Sequence, residues 1–326
     1  MRGRQGRPKI GIFAPGSHRV VDIPACEIHH PLINRVASAL KRAMRREESS
    51  CYSDSAHLGL VRALQVAVER ASNTAQVVLV CNAPSPDSAR PLLERLEREL
   101  EGSLHSLWWN GNRDVTNRIL GESFERIMGP ECVVEELGGA RVFFPPAAFG
   151  QNNLDLFDRV VEKVHGVVPH GRPVVELYAG CGALGLGLVR RGESVVFNEI
   201  NPASLDGLAR GIAALPAAAQ ARVQVLPGPA QNAAAQIGAE SVVIVDPPRK
   251  GLDPELIAAL AERSPERVIY LSCDLDSLLR DSQLLTQQGL RLSAATGYDL
   301  FPYTEHIETL ALFQRAPSLR AAAQVR

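Results

Sequence analysis

The six cysteines of this 326-residue chain, at positions 26, 51, 81, 132, 181 and 273, include no C-x-x-C pair. That argues against a zinc ribbon and a disulfide framework, and it suits a reducing compartment. One fragment, Cys26-Glu27-Ile28-His29-His30, carries metal-type side chains, but no second half stands at ligand spacing, so no metal is expected. Long apolar runs are missing too. No stretch reaches membrane-spanning length, and the opening MRGRQGRPKIG lacks the hydrophobic segment of a secretory signal; the expected location is the cytoplasm, with no membrane partner. Excess charge of one sign is also absent. The net formal charge is −1, which leaves a polyanionic partner undecided. Locally the balance differs, because residues 1–50 carry ten Lys or Arg against four Asp or Glu. For KRAMRREE in that segment, a solvated helix face weighs slightly above a phosphate-binding patch. No internal repeat is found, and no low-complexity region beyond an Ala-rich stretch near Ala213–Ala221 and a C-terminus that reads as frayed.

What is present is a hydrophobic content of 45%, enough for a sizeable core, and a length that suits two domains. Up to about residue 135, short β-like runs (QVAVER, AQVVLVCN, SLHSLWWN) mix irregularly with helical stretches at Pro31–Arg46 and Ser88–Glu101, as in a smaller α+β domain. From Val174 the rhythm is regular. The strands VVELY, SVVFN, RVQVL, VVIVD and VIYLS are each followed by a helix-length segment, which predicts a mostly parallel sheet with helices on both faces. Two further runs, LRLSAATGYDL and HIETLALFQR, are joined by a short loop and read as antiparallel neighbours. The expected division is 1–135 and 136–326.

In such a sheet, ligands sit beyond the carboxyl ends of the strands. After the first strand comes ELYAGCGALG, where Gly180, Gly182 and Gly185 fit G-x-G-x-x-G, and Glu199 closes the second strand where a carboxylate can bind ribose hydroxyls. The glycines alone serve NAD and S-adenosylmethionine (SAM) equally, or simply a tight turn. Glu176 shifts the choice to SAM, because a carboxylate there repels a pyrophosphate and attracts a cationic amino-acid end. Asp246 opens DPPRKG, whose two prolines force a stiff loop out of the sheet. Cys273 follows the fifth strand and precedes DLDSLLRDSQLL. A helix N-terminus there lowers a thiol pKa, which makes Cys273 a candidate nucleophile, although a lone cysteine is more often a core residue.

Four blocks, FGQNN, ELYAGCGALG, DPPRKG and YLSCDLDSLLRD followed by FPYTEHIE, together resemble the SAM-dependent RNA (uracil-5-)-methyltransferases, which make 5-methyluridine in transfer and ribosomal RNA. The resemblance extends over nearly the whole chain, from Ser17 to Phe313. It implies a Rossmann-like class I methyltransferase domain, SAM as cofactor and 23S ribosomal or transfer RNA as partner, in a monomer. By this similarity Gln151, Tyr178, Gly180, Gly182, Ala183, Glu199 and Asp246 stand at SAM-binding positions, Cys273 at the nucleophile and Glu308 at the proton acceptor. Ala183 replaces an Asn often found there, so contact would come from backbone. Three further departures bear on activity. The chain begins within what resembles the family's central domain, without the β-barrel module many members carry. Only Cys26 matches the four cysteines with which some members hold an iron–sulfur cluster, so no cluster is expected. Asp274 stands where many have Asn, putting a negative charge beside the thiolate. An NAD-dependent oxidoreductase and a catalytically inert RNA-binding relative are the competing readings.

Overall fold

The structure, a computed structural model, describes residues 1–4, 7–17 and 19–315; the C-terminal end read as frayed lies outside the described residues. The chain divides into two compact units: Met1–Glu135 with Pro145–Ala147, and Glu136–Phe144 with the described residues from Ala148 onward.

In the first unit helix α1 (Pro31–Arg46) is started by His30, whose Nδ1 accepts the Leu32 N–H at 3.2 Å, and by Pro31 at the first turn. The metal-type reading of His30 therefore gives way to a capping one. Val36, Ala39, Leu40, Ala43 and Met44 of α1 recur at helical spacing and are fully buried. They pack in one core with Leu92, Leu93 and Leu96 of α2 (Arg90–Glu99) and with a four-stranded sheet. Its strands, β1 (Val61–Glu69), β2 (Thr74–Cys81), β3 (Leu104–Gly111) and β4 (Ser123–Met128), lie in sequence order, with β2 and β3 parallel. Helix α2 makes that crossover, starting two residues after the expected Ser88 because Pro86–Ala89 winds as a 3₁₀ turn. The basic residues of KRAMRREE are partly neutralised: Lys41 pairs with Asp22 at 2.6 Å and Arg42 with Glu99 at 2.8 Å. This favours the solvated helix face.

The second unit is built on a seven-stranded sheet. In chain order its main elements are α3 (Leu154–Val167), β5 (Val174–Leu177), α4 (Leu186–Arg191), β6 (Val195–Glu199), α5 (Pro202–Ala213), β7 (Val223–Pro227), β8 (Val242–Val245), α6 (Pro254–Arg263), β9 (Arg267–Ser272), α7 (Leu275–Gln287), β10 (Leu290–Tyr298) and β11 (Glu308–Arg315). The spatial order is β7-β6-β5-β8-β9-β11-β10, parallel from β7 to β9, with β11 antiparallel to both neighbours. Period-two alternation sends Val174, Phe197, Ile244 and Ile269 to a core with α3, α4 and α5. Val175, Val243, Val268 and Tyr270 face the opposite core with α6 and α7. Both faces are thus covered, as the near-continuous apolar strands require. After β7 the helix-length expectation is corrected: between Pro229 and Gly238 the chain makes only a 3₁₀ turn, Ala230–Gln236.

Candidate active site

The sheet order reverses between β5 and β8, and the loops beyond the carboxyl ends of β5, β6, β8 and β9 carry the predicted residues. At the end of β5 the backbone turns left-handed at Tyr178 (φ 59°), Gly180 (φ 55°) and Gly182 (φ 82°). The first is a bulky residue in a conformation it rarely adopts, a strain typical of ligand sites. The glycines have different reasons to be glycine. A Cβ on Gly182 would meet Leu208 and Leu186 side chains at 2.7 and 2.9 Å, and one on Gly185 would meet Glu176 Oε2 at 2.0 Å. A Cβ on Gly180 would meet open space. Gly182 and Gly185 thus serve close packing, while Gly180 leaves a cradle at the loop's outer side.

Glu199 ties the cradle to β6. Its Oε2 accepts the Gly180 N–H at 2.7 Å, and its Oε1 accepts those of Ile200 and Asn201 at 2.8 and 2.6 Å. A carboxylate oxygen has two lone-pair sites, so Oε2 keeps one for a hydroxyl donor. Beneath the loop Glu176 is 2% exposed, and its Oε2 has no hydrogen-bond partner. Burial, then the charges of Asp246 and Glu199, raise its pKa well above the carboxylate range. The Tyr178 hydroxyl is likewise buried and unpartnered. With the charges of Asp246 and Glu199 opposing ionisation of Glu176, this site suits a cationic ligand and disfavours a pyrophosphate.

Asp246 directly follows β8, and burial, followed by the charge of Glu308, pushes its pKa up to about 8. Glu308 opens β11, is 1% exposed, and is raised by burial to about 7. The β9/β11 register pairs Ser272 with Thr309, so its next step sets Cys273 opposite Glu308. Cys273 is half-buried, and burial, Glu308 and Asp246 raise its pKa while Arg249 acts the other way. Desolvation first, then Glu308 and Asp246, thus hold the thiol above its ordinary range, against the lowering expected from a helix N-terminus. Asp274 next to it caps α7: its Oδ1 accepts the Ser277 N–H at 2.8 Å, which holds its carboxyl in the charged form.

The structure thus brings Glu176, Glu199, Asp246, Glu308 and Cys273 into one electrostatically linked group. Ala183 lies in the same loop as Gly180 and Gly182, whereas Gln151 stands on the loop before α3. Asp281 was not foreseen. It is fully buried on α7, among Ser277, Leu278 and Leu285, and that acid on an otherwise core-facing stripe was the available signal. Among the described residues no group of three or more His, Cys, Asp or Glu is arranged to hold a metal ion, and no helix is long and apolar enough to cross a membrane.

These raised carboxyl groups make stability depend on pH. A carboxyl whose folded pKa lies above its unfolded value stabilises the fold fully below the unfolded value, and that contribution is lost as pH rises through the folded one. For Asp246 the window runs from its ordinary 3.8 to about 8. Asp246→Asn removes the titration, so its melting temperature should exceed that of the unliganded wild type at about pH 8 by several degrees, at roughly 2–4 °C per kcal/mol. The gap should shrink towards pH 5. Thermal unfolding at the two pH values checks this, and a pH-independent gap would contradict it.

Residues 236–316 match the family model described as tRNA (Uracil-5-)-methyltransferase. An uncharacterized RNA methyltransferase of Protochlamydia amoebophila is 36% identical over 97% of this chain and 84% of its own length. Another, from Caldanaerobacter subterraneus, is 29% identical over 96% and 70%. Among solved structures, the tRNA (uracil-54, C5)-methyltransferase of Pyrococcus abyssi, crystallised with S-adenosyl-L-homocysteine, superposes with a TM-score of 0.75 at 24% identity, over 90% of this chain and 70% of that one. That likeness bears out the class I methyltransferase fold. With its fold, its acidic strand-end site and these relatives, the chain belongs to the RNA methyltransferases, and its residues 236–316 carry the tRNA (uracil-5-)-methyltransferase match.

Proposed function

We propose that this protein methylates C5 of a uridine in transfer or ribosomal RNA, with SAM as donor and a covalent Cys273 adduct as intermediate. The observation that carries the reading is the β9/β11 register, which opposes Cys273 and Glu308 with Asp246 alongside. The orphaned Glu176 Oε2, the open cradle at Gly180 and the free site on Glu199 suit a donor with sulfonium and ammonium charges and ribose hydroxyls. SAM supplies an electrophilic methyl group when bound. Gln151, Tyr178, Gly180, Gly182, Ala183, Glu199 and Asp246 would hold it, with Ala183 contributing backbone.

C5 of uracil is a weak nucleophile. Attack of the Cys273 thiolate on C6 forms an S–C6 bond and moves the ring electrons to an enolate, which makes C5 nucleophilic. Asp246 orients the base. Once C5 is methylated, Glu308 takes the C5 proton, the C5–C6 double bond re-forms, and the sulfur departs with the electrons of the S–C6 bond. A base with a pKa of about 7 suits this duty near neutral pH. The loop ahead of Glu308 presents Tyr303, almost fully exposed at φ 65°, an aromatic face for a base drawn out of its stack. The first unit, with its locally basic start, is assigned RNA contact.

Two measurements test this reading. SAM, and not NAD, should raise the melting temperature, by the equivalent of about 2.7 kcal/mol at ~100 times its Kd; stabilisation by NAD alone would favour the oxidoreductase. Tritiated SAM with unmodified transfer and ribosomal RNA should yield 5-methyluridine. RNA binding without incorporation on either would favour the inert relative, and the labelled uridine identifies the target.

A further inference from the structure

Behind Cys273 and Asp246 lies a buried junction that the reaction itself does not use. Asp281 of α7 has no exposure, and its Oδ2 accepts the Leu252 N–H and the Tyr270 hydroxyl, each at 2.8 Å. Its Oδ1 accepts Arg280 Nε at 2.9 Å and Nη2 at 2.7 Å. The same Nη2 donates to the Lys250 carbonyl at 2.7 Å. The loop that starts at Asp246 is therefore gripped at residues 250 and 252, on either side of Gly251. Gly251 has φ 77°, and a Cβ there would meet Asp281 Oδ2 at 2.4 Å and Arg280 Nη2 at 2.5 Å, so the approach requires glycine.

The partners bracket both reactive positions. Tyr270 lies three residues before Cys273 on β9 and is paired with Val245, the residue before Asp246. Asp281 and Arg280 ride on the helix that starts just after Cys273. A buried carboxylate with this many charge-assisted or short hydrogen bonds fixes geometry more than it adds net stability. We propose that Asp281 is a positioning residue for methyl transfer, holding the Asp246 loop and the Cys273 segment at a fixed separation. This rests on the proposed reaction, but the junction can be tested apart from it.

Asp281→Asn keeps an oxygen for Leu252 and Tyr270 and turns an amide towards Arg280, which releases the grip on Lys250. Displacement of the loop carries away Asp246, which raises the Cys273 pKa, and Arg249, which lowers it; Asp246 is the stronger of the two, while Glu308 on β11 stays in place. The folded variant should therefore show a lower pH midpoint for iodoacetamide labelling of Cys273, followed by mass spectrometry of its peptide. Its kcat for RNA methylation should fall by roughly 10²-fold, the scale for ångström-level misplacement, with KM for RNA little changed. If Asp281→Asn does not fold, Arg280→Gln, at the half-exposed side of the pair, carries the same expectations. A folded variant with the wild-type labelling curve and kcat within about threefold overturns the proposal. A wild-type protein that methylates no RNA but shows the labelling shift in the variant would refute the reaction and leave the junction standing.

Discussion

Cys273→Ala should incorporate no methyl group into RNA and should form no covalent protein–RNA species, a loss of at least roughly 10⁴-fold, because nothing else at the end of β9 can add to C6. The same substitution at a merely structural, half-buried cysteine costs about 1 kcal/mol of stability and leaves turnover measurable. Filter-bound tritium and denaturing electrophoresis, on protein shown to fold and to bind SAM, separate the two cases. Near-normal methyl transfer by the folded variant would remove Cys273 from the mechanism. In the wild type, the thiol is held up by burial and by Glu308 and Asp246. Its iodoacetamide reactivity without ligand should accordingly rise only at pH above the ordinary thiol range, and a cation bound beside the carboxyl groups should bring it down.

Glu308→Gln should fail at a different place. Thiolate attack and methyl transfer remain open to it, but the C5 proton has no acceptor, so a methylated protein–RNA adduct should accumulate and survive denaturing electrophoresis. Multiple turnover should drop by roughly 10²–10⁴-fold. In the wild type, the base is the ionised form, so turnover should climb as pH rises through about 7, the pKa to which burial lifts Glu308. Free turnover by the glutamine variant without adduct would place the base elsewhere. Because the two variants interrupt opposite sides of one intermediate, a pair of gels distinguishes them.

Much of this architecture was legible in the chain. The alternation of apolar runs and helix-length segments after Val174 identifies the parallel sheet, since strands buried on both faces leave little room for polar residues. Strand ends pointed to Glu199, Asp246 and Cys273 because position in such a sheet carries chemical meaning. The electrostatics were less accessible. The helix beginning at Leu275 is local and readable, whereas the carboxyl groups that oppose its effect on Cys273 come from β8 and β11, whose placement beside β9 is a long-range fact. Asp274 looked like a liability from its neighbour alone; three residues further on, the Ser277 N–H makes it a cap. Asp281 escaped notice because an acid in an amphipathic helix looks solvated until its stripe is seen to be buried.

The insertion of β11 between β9 and β10 also has a consequence in time. Synthesis runs from N- to C-terminus, so the five parallel strands and Cys273 emerge before Glu308, which follows 35 residues later. At about 5–20 residues per second that delay lasts a few seconds. Throughout it β9 presents an open edge, ready to pair with any other strand, and the cysteine has no carboxyl partner opposite it. Maturation is complete only when a late strand is threaded between an early one and its own hairpin partner.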